Sequence, residues 1–201
     1  MKKVFFAFMI SVELILNGMV YSDTVTEDLS ENLLRLHIIA NSDSEYDQDV
    51  KLKVRDKIIK EIGDKRFNDK KEVINSVDEL TSSINDYLNI NSVNYSCVVY
   101  HLTDEFPTKD YSNISMPAGN YDCIKVVLGK GEGQNWWCVA YPPLCFTEEI
   151  YTQMSEDGKE NLKNNLSDEA YNIIEGEKTE YKIKFFAVEI VNKVLSLFDN
   201  K

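Results

Sequence analysis

The chain has little histidine and cysteine, two residue types that enzymes use as bases, nucleophiles and metal ligands. It contains only two histidines, His37 and His101, and only four cysteines. A hydrolytic triad needs a base beside a nucleophile and an orienting acid, but both histidines lie in largely apolar, strand-like segments. We therefore expect both to be partly buried and bonded to the backbone, and we predict no catalytic residue and no enzyme activity.

Positive charge is also scarce. The chain has 22 lysines and arginines against 34 aspartates and glutamates, which gives a formal net charge of -12. Such a chain repels the phosphate backbone of a nucleic acid and an anionic membrane surface. Nucleic acid is therefore not expected as a partner. No pair of carboxylates has a distinctive spacing, so a glycosidase dyad is not predicted either.

A phosphate-binding glycine loop is missing as well. Gly129, Gly131 and Gly133 alternate with other residues, but a phosphate cradle needs a strand before it and a helix after it. Here a strand-like segment follows, and no Lys-Ser or Lys-Thr pair lies in or directly after the glycine segment. We interpret residues 129–133 as a turn, and we expect no cofactor and no small-molecule substrate.

Long hydrophobic runs are absent except near the N-terminus. Residues 4–16 are mostly apolar, follow two lysines and precede small residues before Asp23. We predict a signal peptide over residues 1–22 and a single extracytoplasmic domain over residues 23–201. An uncleaved membrane anchor is the alternative, although Glu13 at the bilayer centre would cost about 2.5–3.5 kcal/mol on insertion scales.

Hydrophobic periodicity predicts one α+β domain. Helices are predicted over residues 47–62 (ended by Gly63), 70–88 and 167–175, strands over residues 33–40, 94–102, 122–128 and 135–141, and loops over residues 104–117 and 155–165. The strand over residues 94–102 is apolar on both faces, which predicts a central position. This order predicts a three- to four-stranded, mainly antiparallel sheet with helices packed on it.

Tryptophan, cysteine and proline are concentrated in residues 117–146. This stretch holds both tryptophans, three of the four cysteines and three of the four prolines. The strands on either side of the glycine turn predict an aromatic hairpin. Its second strand ends at Pro142-Pro143, a stiff turn that we call the knuckle.

The cysteines are predicted to form disulfides, because an exported chain with an even number of cysteines commonly does. Of the three pairings we favour Cys138–Cys145, which would close the knuckle with a short loop and add about 2–3 kcal/mol. A Cys97–Cys123 bridge would need adjacent strands with facing side chains. The alternative to a disulfide is a zinc site formed by His37, Cys138 and Cys145. The six residues between the two cysteines are more than the two to four typical of a zinc-binding turn.

The two tryptophans are expected on opposite faces of the sheet, because adjacent strand residues alternate. One ring should pack in the core. The other is either an exposed protein-binding anchor or also interior. We predict a partner-binding surface formed by the aromatic and turn residues of this segment, namely Trp136, Trp137, Tyr141, Pro142, Pro143, Leu144 and Phe146.

The run GKGEGQNWWCVAYPPLCF, with FPTKDYSN before it and LRLHIIANSDS near the start, resembles the stage II sporulation protein R family. These are secreted signalling proteins of endospore-forming bacteria. The resemblance covers most of the chain after the N-terminal segment. It implies that the forespore makes this protein and secretes it into the intermembrane space between forespore and mother cell, where residues 23–201 would form a signalling domain.

The resemblance also implies a partner. This would be a membrane-embedded aspartic protease of the mother cell, stage II sporulation protein GA, which cleaves the precursor of the mother-cell sigma factor E. The protein would activate the protease by preferring one of its states. The competing expectations are an extracytoplasmic hydrolase acting on cell-wall material through a Cys/His or zinc site, and an inert wall-associated structural protein.

Overall fold

A computed structural model of the protein describes residues 25–111, 114–143 and 156–175. These residues form an α+β fold with a four-stranded mixed sheet, a two-stranded sheet and packed helices. The predicted class is therefore confirmed. None of the described helices is long and apolar enough to span a membrane. The predicted signal peptide, residues 1–22, lies outside the described residues.

The bounds of the elements are as follows. The described helices are α1 (residues 25–32), α2 (Glu45–Lys65), α3 (Lys70–Asn75), α4 (Val77–Ile90), α5 (Glu156–Asn165) and α6 (Asp168–Glu175). The described strands are β1 (Leu34–Ile39), β2 (Cys97–Phe106), β3 (Lys109–Tyr111), β4 (Ile114–Met116), β5 (Gly119–Leu128) and β6 (Asn135–Tyr141).

Strand β1 lies inside the main sheet, whose order is β2-β5-β1-β6. It runs parallel to β5 and antiparallel to β6, and β2 is antiparallel to β5. The predicted aromatic hairpin is therefore wrong, because β1 separates its two strands. Leu34, Leu36 and Ile38 are completely buried, and buried backbone groups need hydrogen-bond partners. Pairing on both edges supplies these partners to β1.

The glycine-rich segment, residues 129–134, crosses the end of β1 as a connecting loop. The Gly133 N–H donates to the Ala40 carbonyl at 2.9 Å, and the Ala40 N–H donates to the Gln134 carbonyl at 3.4 Å. The Asn41 Oδ1 accepts from the Lys130 N–H at 2.9 Å. The loop is thus held against the chain that leaves β1, and its amides are used in that contact.

The sheet separates two hydrophobic cores. Its front face packs against α2, α3 and α4, and its back face packs against α1, the β3–β4 sheet, α5 and α6. Buried residues of the front core include Leu36, Ile38, Val54, Ile58, Ile84, Leu88, Ile124 and Val126. Buried residues of the back core include Leu29, Leu33, Phe106, Met116, Tyr121, Val139, Leu162 and Ile174. Packing on both faces of the sheet explains why β1 is buried on both sides.

Two helix predictions need correction. Gly63 lies inside α2, which continues to Lys65 and ends at Arg66 in the left-handed conformation, with φ 47° and ψ 57°. The helix predicted over residues 70–88 is two helices, α3 and α4, divided at Ser76. In both cases the apolar periodicity located the helix, and local backbone geometry set its ends.

The prediction of a central strand over residues 94–102 is wrong. Strand β2 lies at the border of the sheet, and Val98 and Tyr100 are each 47% exposed. The apolar residues of β2 on the back face are therefore only partly covered by the described residues.

Two predicted loops also contain regular structure. Residues 104–117 extend β2 and form β3 and β4, and residues 155–165 contain α5. Phe106 is fully buried in the back core, as is Leu162 of α5. Burial of these few apolar side chains stabilises regular structure in segments that are otherwise polar.

We predict that Gly133→Ala destabilises the protein. A Cβ atom at this position would lie 2.3 Å from the Ser42 carbonyl oxygen and 2.8 Å from the Ala40 Cβ, and such overpacking costs about 1–3 kcal/mol. Urea unfolding would measure the change. Gly63→Ala is the matched control, since its Cβ meets nothing within 4 Å and should stabilise α2 by up to about 1 kcal/mol. Wild-type stability of Gly133→Ala would contradict the loop contact.

Candidate functional site

A cleft of about 250 Å³ opens beside the knuckle. Its walls come from the end of α2, the end of β6 with the knuckle, and α5. Its lining includes Arg66, Phe67, Tyr141, Pro142, Pro143 and Asn165. The volume is below the roughly 300–1,000 Å³ of small-molecule pockets, so the cleft suits a few side chains of a protein partner.

The connection between α2 and α3 fixes the position of the knuckle. The Tyr141 hydroxyl donates to the Asn68 carbonyl at 2.6 Å. Asp69 caps α3 by accepting from the Glu72 N–H at 2.9 Å, and the Glu72 carboxylate accepts from the Asn68 N–H at 2.8 Å. Burial and then these two carboxylates raise the pKa of Tyr141. Its hydroxyl therefore stays protonated and remains a donor.

The cleft combines apolar surface with one positive charge. Phe67 and Tyr141 are half-buried and pack against the front core, while Arg66 is exposed. None of the ion pairs between described residues includes Arg66. The arrangement suits an apolar side chain of a partner that lies next to a carboxylate, because an unpaired guanidinium binds carboxylates well.

The two tryptophans lie on opposite faces, as predicted, and both are half-buried. The Arg55 guanidinium lies 4.5 Å from the centre of the Trp136 ring on the front face. Trp137 stacks on His37 on the back face, with 3.7 Å between ring centres. Each ring therefore packs against one face of the sheet and keeps part of its surface exposed. Leu144 and Phe146, also predicted to contact a partner, lie outside the described residues.

A polar cluster lies on the back face, around His37. Its side chain is only 5% exposed. Nδ1 is 2.9 Å from the Asp104 Oδ2, and Nε2 is 2.8 Å from the Asn135 Oδ1. The Lys125 Nζ donates to the same Asp104 oxygen at 2.9 Å. The predicted backbone bonding is therefore wrong for His37, whose partners are side chains.

The cluster does not form a hydrolytic site with the described residues. Both ring nitrogens of His37 already have polar partners, and neither partner is a serine or cysteine. A base must reach the proton of a nucleophile. His101, the other histidine, is exposed, with its Nε2 3.8 Å from an Asp122 oxygen.

The structure does not bring together the described ligands of the alternative zinc site. His37 and Cys138 lie on neighbouring strands but on opposite faces, because Cys138 belongs to the front core while His37 stacks on Trp137 at the back. The third predicted ligand, Cys145, lies outside the described residues. Within residues 25–111, 114–143 and 156–175, no three His, Cys, Asp or Glu side chains are placed to hold a metal ion.

The structure tests the predicted cysteine pairings in part. Cys97 and Cys123 are free and buried. The Cys97–Cys123 alternative is wrong because these residues belong to the front and back cores respectively. Burial raises the pKa of Cys97 to about 11 and that of Cys123 to about 12. Because Cys145 lies outside the described residues, the disulfide-closed knuckle is not supported by the structure, and the Cys138–Cys145 bridge stays a prediction.

Sequence reasoning missed the structural role of Arg35. This side chain is completely buried. Its Nε donates to the Cys138 carbonyl at 2.9 Å, and its guanidinium lies over the rings of Phe106 and Tyr121 at 4.5 and 4.9 Å. A single charge inside the apolar run of β1 was the available signal. Arg35 links the central strand to β6 and to the back core.

Comparison with known proteins identifies the family. The family model of stage II sporulation protein R matches residues 30–151, which include the six strands of the described residues. The chain is 33% identical over 187 residues to stage II sporulation protein R of Bacillus subtilis (strain 168), and the alignment covers 84% of each chain. No solved structure matches the chain. These matches place the chain among bacterial sporulation proteins. It belongs to the stage II sporulation protein R family, so the resemblance is confirmed.

We predict that Asp104→Asn destabilises the protein by about 1–3 kcal/mol at pH 7, the usual range for lost charged hydrogen bonds. Burial alone would raise the pKa of Asp104, but hydrogen bonds from Lys125 and His37 outweigh burial and lower it. A lowered pKa gives stability that is present above the unfolded pKa of about 3.9 and is lost as pH falls through the folded value. Urea unfolding between pH 7 and pH 3 should therefore show the difference shrinking below about pH 4.

Asp49→Asn is the control for this experiment. Asp49 pairs with Lys53 at 2.7 Å, but both side chains are more than half exposed, and such pairs contribute little to stability. A constant difference between wild type and Asp104→Asn at all pH values would show that the charge of Asp104 does not stabilise the fold.

Thiol labelling tests the cysteine assignments. Because the thiolate is the reactive form, we expect Cys97 and Cys123 to resist alkylation at pH 8 in the folded protein and to react once it is unfolded. Counting labels by mass spectrometry without a reductant also tests the predicted bridge. Two labels on the unfolded chain would support Cys138–Cys145, and four would rule it out.

Proposed function

We propose that this protein is the intercompartmental sporulation signal that activates stage II sporulation protein GA, a membrane-embedded aspartic protease of the mother cell. Activation would trigger cleavage of the precursor of the mother-cell sigma factor E. Membership of the stage II sporulation protein R family carries the proposal. A binding function is also consistent with the described side chains, which bring no nucleophile to His37.

We propose further that the protein acts outside the cytoplasm of the forespore. Residues 1–22 would direct export, and residues 23–201 would be released or anchored in the space between the two membranes. A net charge of -12 is consistent with this location, because anionic membrane surfaces repel an acidic domain and do not retain it by charge.

The contact surface in this proposal is the cleft beside the knuckle. Tyr141 and Pro143 are partly exposed and the buried Pro142 lies between them. This surface is rigid, because the Tyr141 hydroxyl is bonded to Asn68 at 2.6 Å and the prolines restrict the backbone. Rigid surfaces lose little conformational entropy on binding. Leu144 and Phe146 would extend this surface, and a Cys138–Cys145 bridge would stiffen it.

Activation would then follow from preferential binding. A ligand shifts a partner's equilibrium only by its differential affinity for the two states, and about 1.4 kcal/mol is needed for each tenfold shift. The cleft would contact a part of the protease that is available in the active state alone. This mechanism requires no reacting group on the signal protein.

Co-expression in a non-sporulating bacterium tests the function. The chain with its N-terminal segment, the protease and the sigma factor E precursor would be produced together, and cleavage of the precursor would be followed by immunoblot. Cleavage that depends on this chain supports the proposal. Absence of cleavage, with all three proteins present and the chain exported, would contradict the proposed function.

We predict that Arg66→Gly reduces precursor cleavage at least tenfold in this system. Arg66 has a positive φ of 47°, a conformation that glycine adopts without strain, so the variant should fold while the cleft loses its cation. Lys130→Ala is the matched control. It removes an exposed loop cation at the other end of β6, roughly 20 Å away at 3.4 Å per residue.

The two assignments in this proposal can fail separately. Wild-type cleavage with Arg66→Gly would remove the cleft from the contact surface and leave the signalling function standing. Equal losses with Arg66→Gly and Lys130→Ala would indicate a general effect of net charge.

A further inference from the structure

Strand β2 forms one border of the main sheet and pairs only with β5 among the described strands. In an antiparallel strand the backbone groups of successive residues point alternately toward and away from the neighbour. The Ser96 carbonyl accepts from the Gly129 N–H at 2.9 Å, on the β5 side. Both backbone groups of Cys97 instead bond to the Asn85 side chain of α4, at 2.8 and 3.1 Å. The backbone N–H and C=O groups of the odd-numbered residues of β2 therefore point outward, away from β5.

The two ends of this outer edge are occupied. Asn85 covers Cys97 at the start, and near the end the Glu105 N–H is bonded to the Asp104 Oδ1 at 3.1 Å. Between them lie the outward-pointing backbone groups of Val99, His101 and Thr103, and the described residues provide these groups with no partner.

This free part of the edge is also regular. The register between β2 and β5 runs without a bulge from Cys97 to Phe106, and no proline interrupts the strand. Bulges, prolines and covering loops are the usual protections of an edge strand. Within the part of the chain that the structure describes, residues 99–103 carry none of these protections and form a straight template for one more strand.

The side chains beside the edge differ between the faces. On the back face, Val98 and Tyr100 are each 47% exposed. On the front face, His101, Thr103 and Glu105 are exposed, and Asp122 lies beside His101, with 3.8 Å between the Nε2 and Oδ1 atoms. Asp122 is paired with Lys70 at 3.0 Å, so the exposed carboxylate on this face is that of Glu105. An added strand would therefore meet apolar surface at the back and polar surface with one carboxylate at the front.

We propose that the outer edge of β2, from Val99 to Thr103, binds an extended segment of another protein in which basic and apolar residues alternate. The segment would become a fifth strand of the sheet. Its apolar side chains would lie beside Tyr100 on the back face, and its basic side chains would lie beside His101 and near Glu105 on the front face. This inference does not depend on the proposed function.

Net charge disfavours a second copy of the chain as the ligand of the β2 edge. Each chain carries a formal charge of -12, so strand pairing between two copies would bring two strongly acidic domains together. A basic segment reverses the sign of that interaction. Binding should therefore weaken as the salt concentration rises, because the contact is exposed to solvent.

An NMR titration of the full chain tests this inference. The probe is the acetylated and amidated peptide KVKVKVK, and the matched control is EVEVEVE. We expect the basic peptide to slow amide hydrogen exchange of Val99, His101 and Thr103 at least tenfold, because their N–H groups become hydrogen-bonded. The acidic peptide should leave these exchange rates unchanged.

Paired variants separate the backbone from the side chain. His101→Pro removes an outward N–H and leaves the bonds to β5 intact, and edge strands tolerate proline in this position. His101→Ala removes the same side chain and keeps the N–H. We expect affinity for KVKVKVK to fall at least tenfold in His101→Pro relative to His101→Ala. Thr103→Pro and Thr103→Ala repeat the comparison if His101→Pro does not fold.

Several results would overturn the inference. These are equal protection by both peptides, protection at other amides alone, and equal affinity of the folded proline and alanine variants. Protection of the same amides that depends on protein concentration without any peptide would identify a second copy as the occupant and would also reject it. The readout is peptide binding, so it is independent of precursor cleavage.

Discussion

The arrangement of the main sheet depends on one constraint, the need to pair both edges of β1. The positions of the glycine loop and the knuckle follow from it. Leu34, Leu36 and Ile38 are completely buried, so the backbone of this strand cannot bond to water, and unpaired buried groups are costly. Strand β5 satisfies one edge and β6 the other. Insertion of β1 sends the glycine loop across its end and carries the knuckle to the connection between α2 and α3. Arg35 reinforces this arrangement by bonding to the Cys138 carbonyl of β6 at 2.9 Å.

The sequence located most strands and helices, because apolar periodicity reports which side chains are buried. It did not report which strands pair. The segments around residues 122–128 and 135–141 are neighbours in the chain, and neighbouring strands usually pair. The short apolar run of residues 33–40 indicated a buried strand. Residues 94–102 are also largely apolar, yet β2 lies at the edge of the sheet, so composition alone could not assign the two positions.

The candidate site was predictable only in part. The rigid character of Tyr141-Pro142-Pro143 follows from residue type, and these residues do line the cleft. Arg66 and Phe67 lie more than 70 positions earlier in the chain, and only the tertiary fold brings them to the knuckle. The bond between His37 and Asp104 was hidden for the same reason, since it joins β1 to β2 across β5. Long-range contacts of this kind leave no local sequence pattern.

The cleft and the free edge lie at opposite borders of the sheet, one at the end of β6 and the other along β2. Three strand spacings of about 4.8 Å put roughly 14 Å between these strands. A single strand added to β2 therefore cannot also fill the cleft. If one partner uses both surfaces, it needs two segments joined by a linker, and the second contact gains from the effective concentration that the first creates. Damage to either surface would then weaken binding of the same protein. If the surfaces serve different partners, Arg66→Gly and His101→Pro would each abolish one interaction and spare the other, because distant sites without shared contacts act independently.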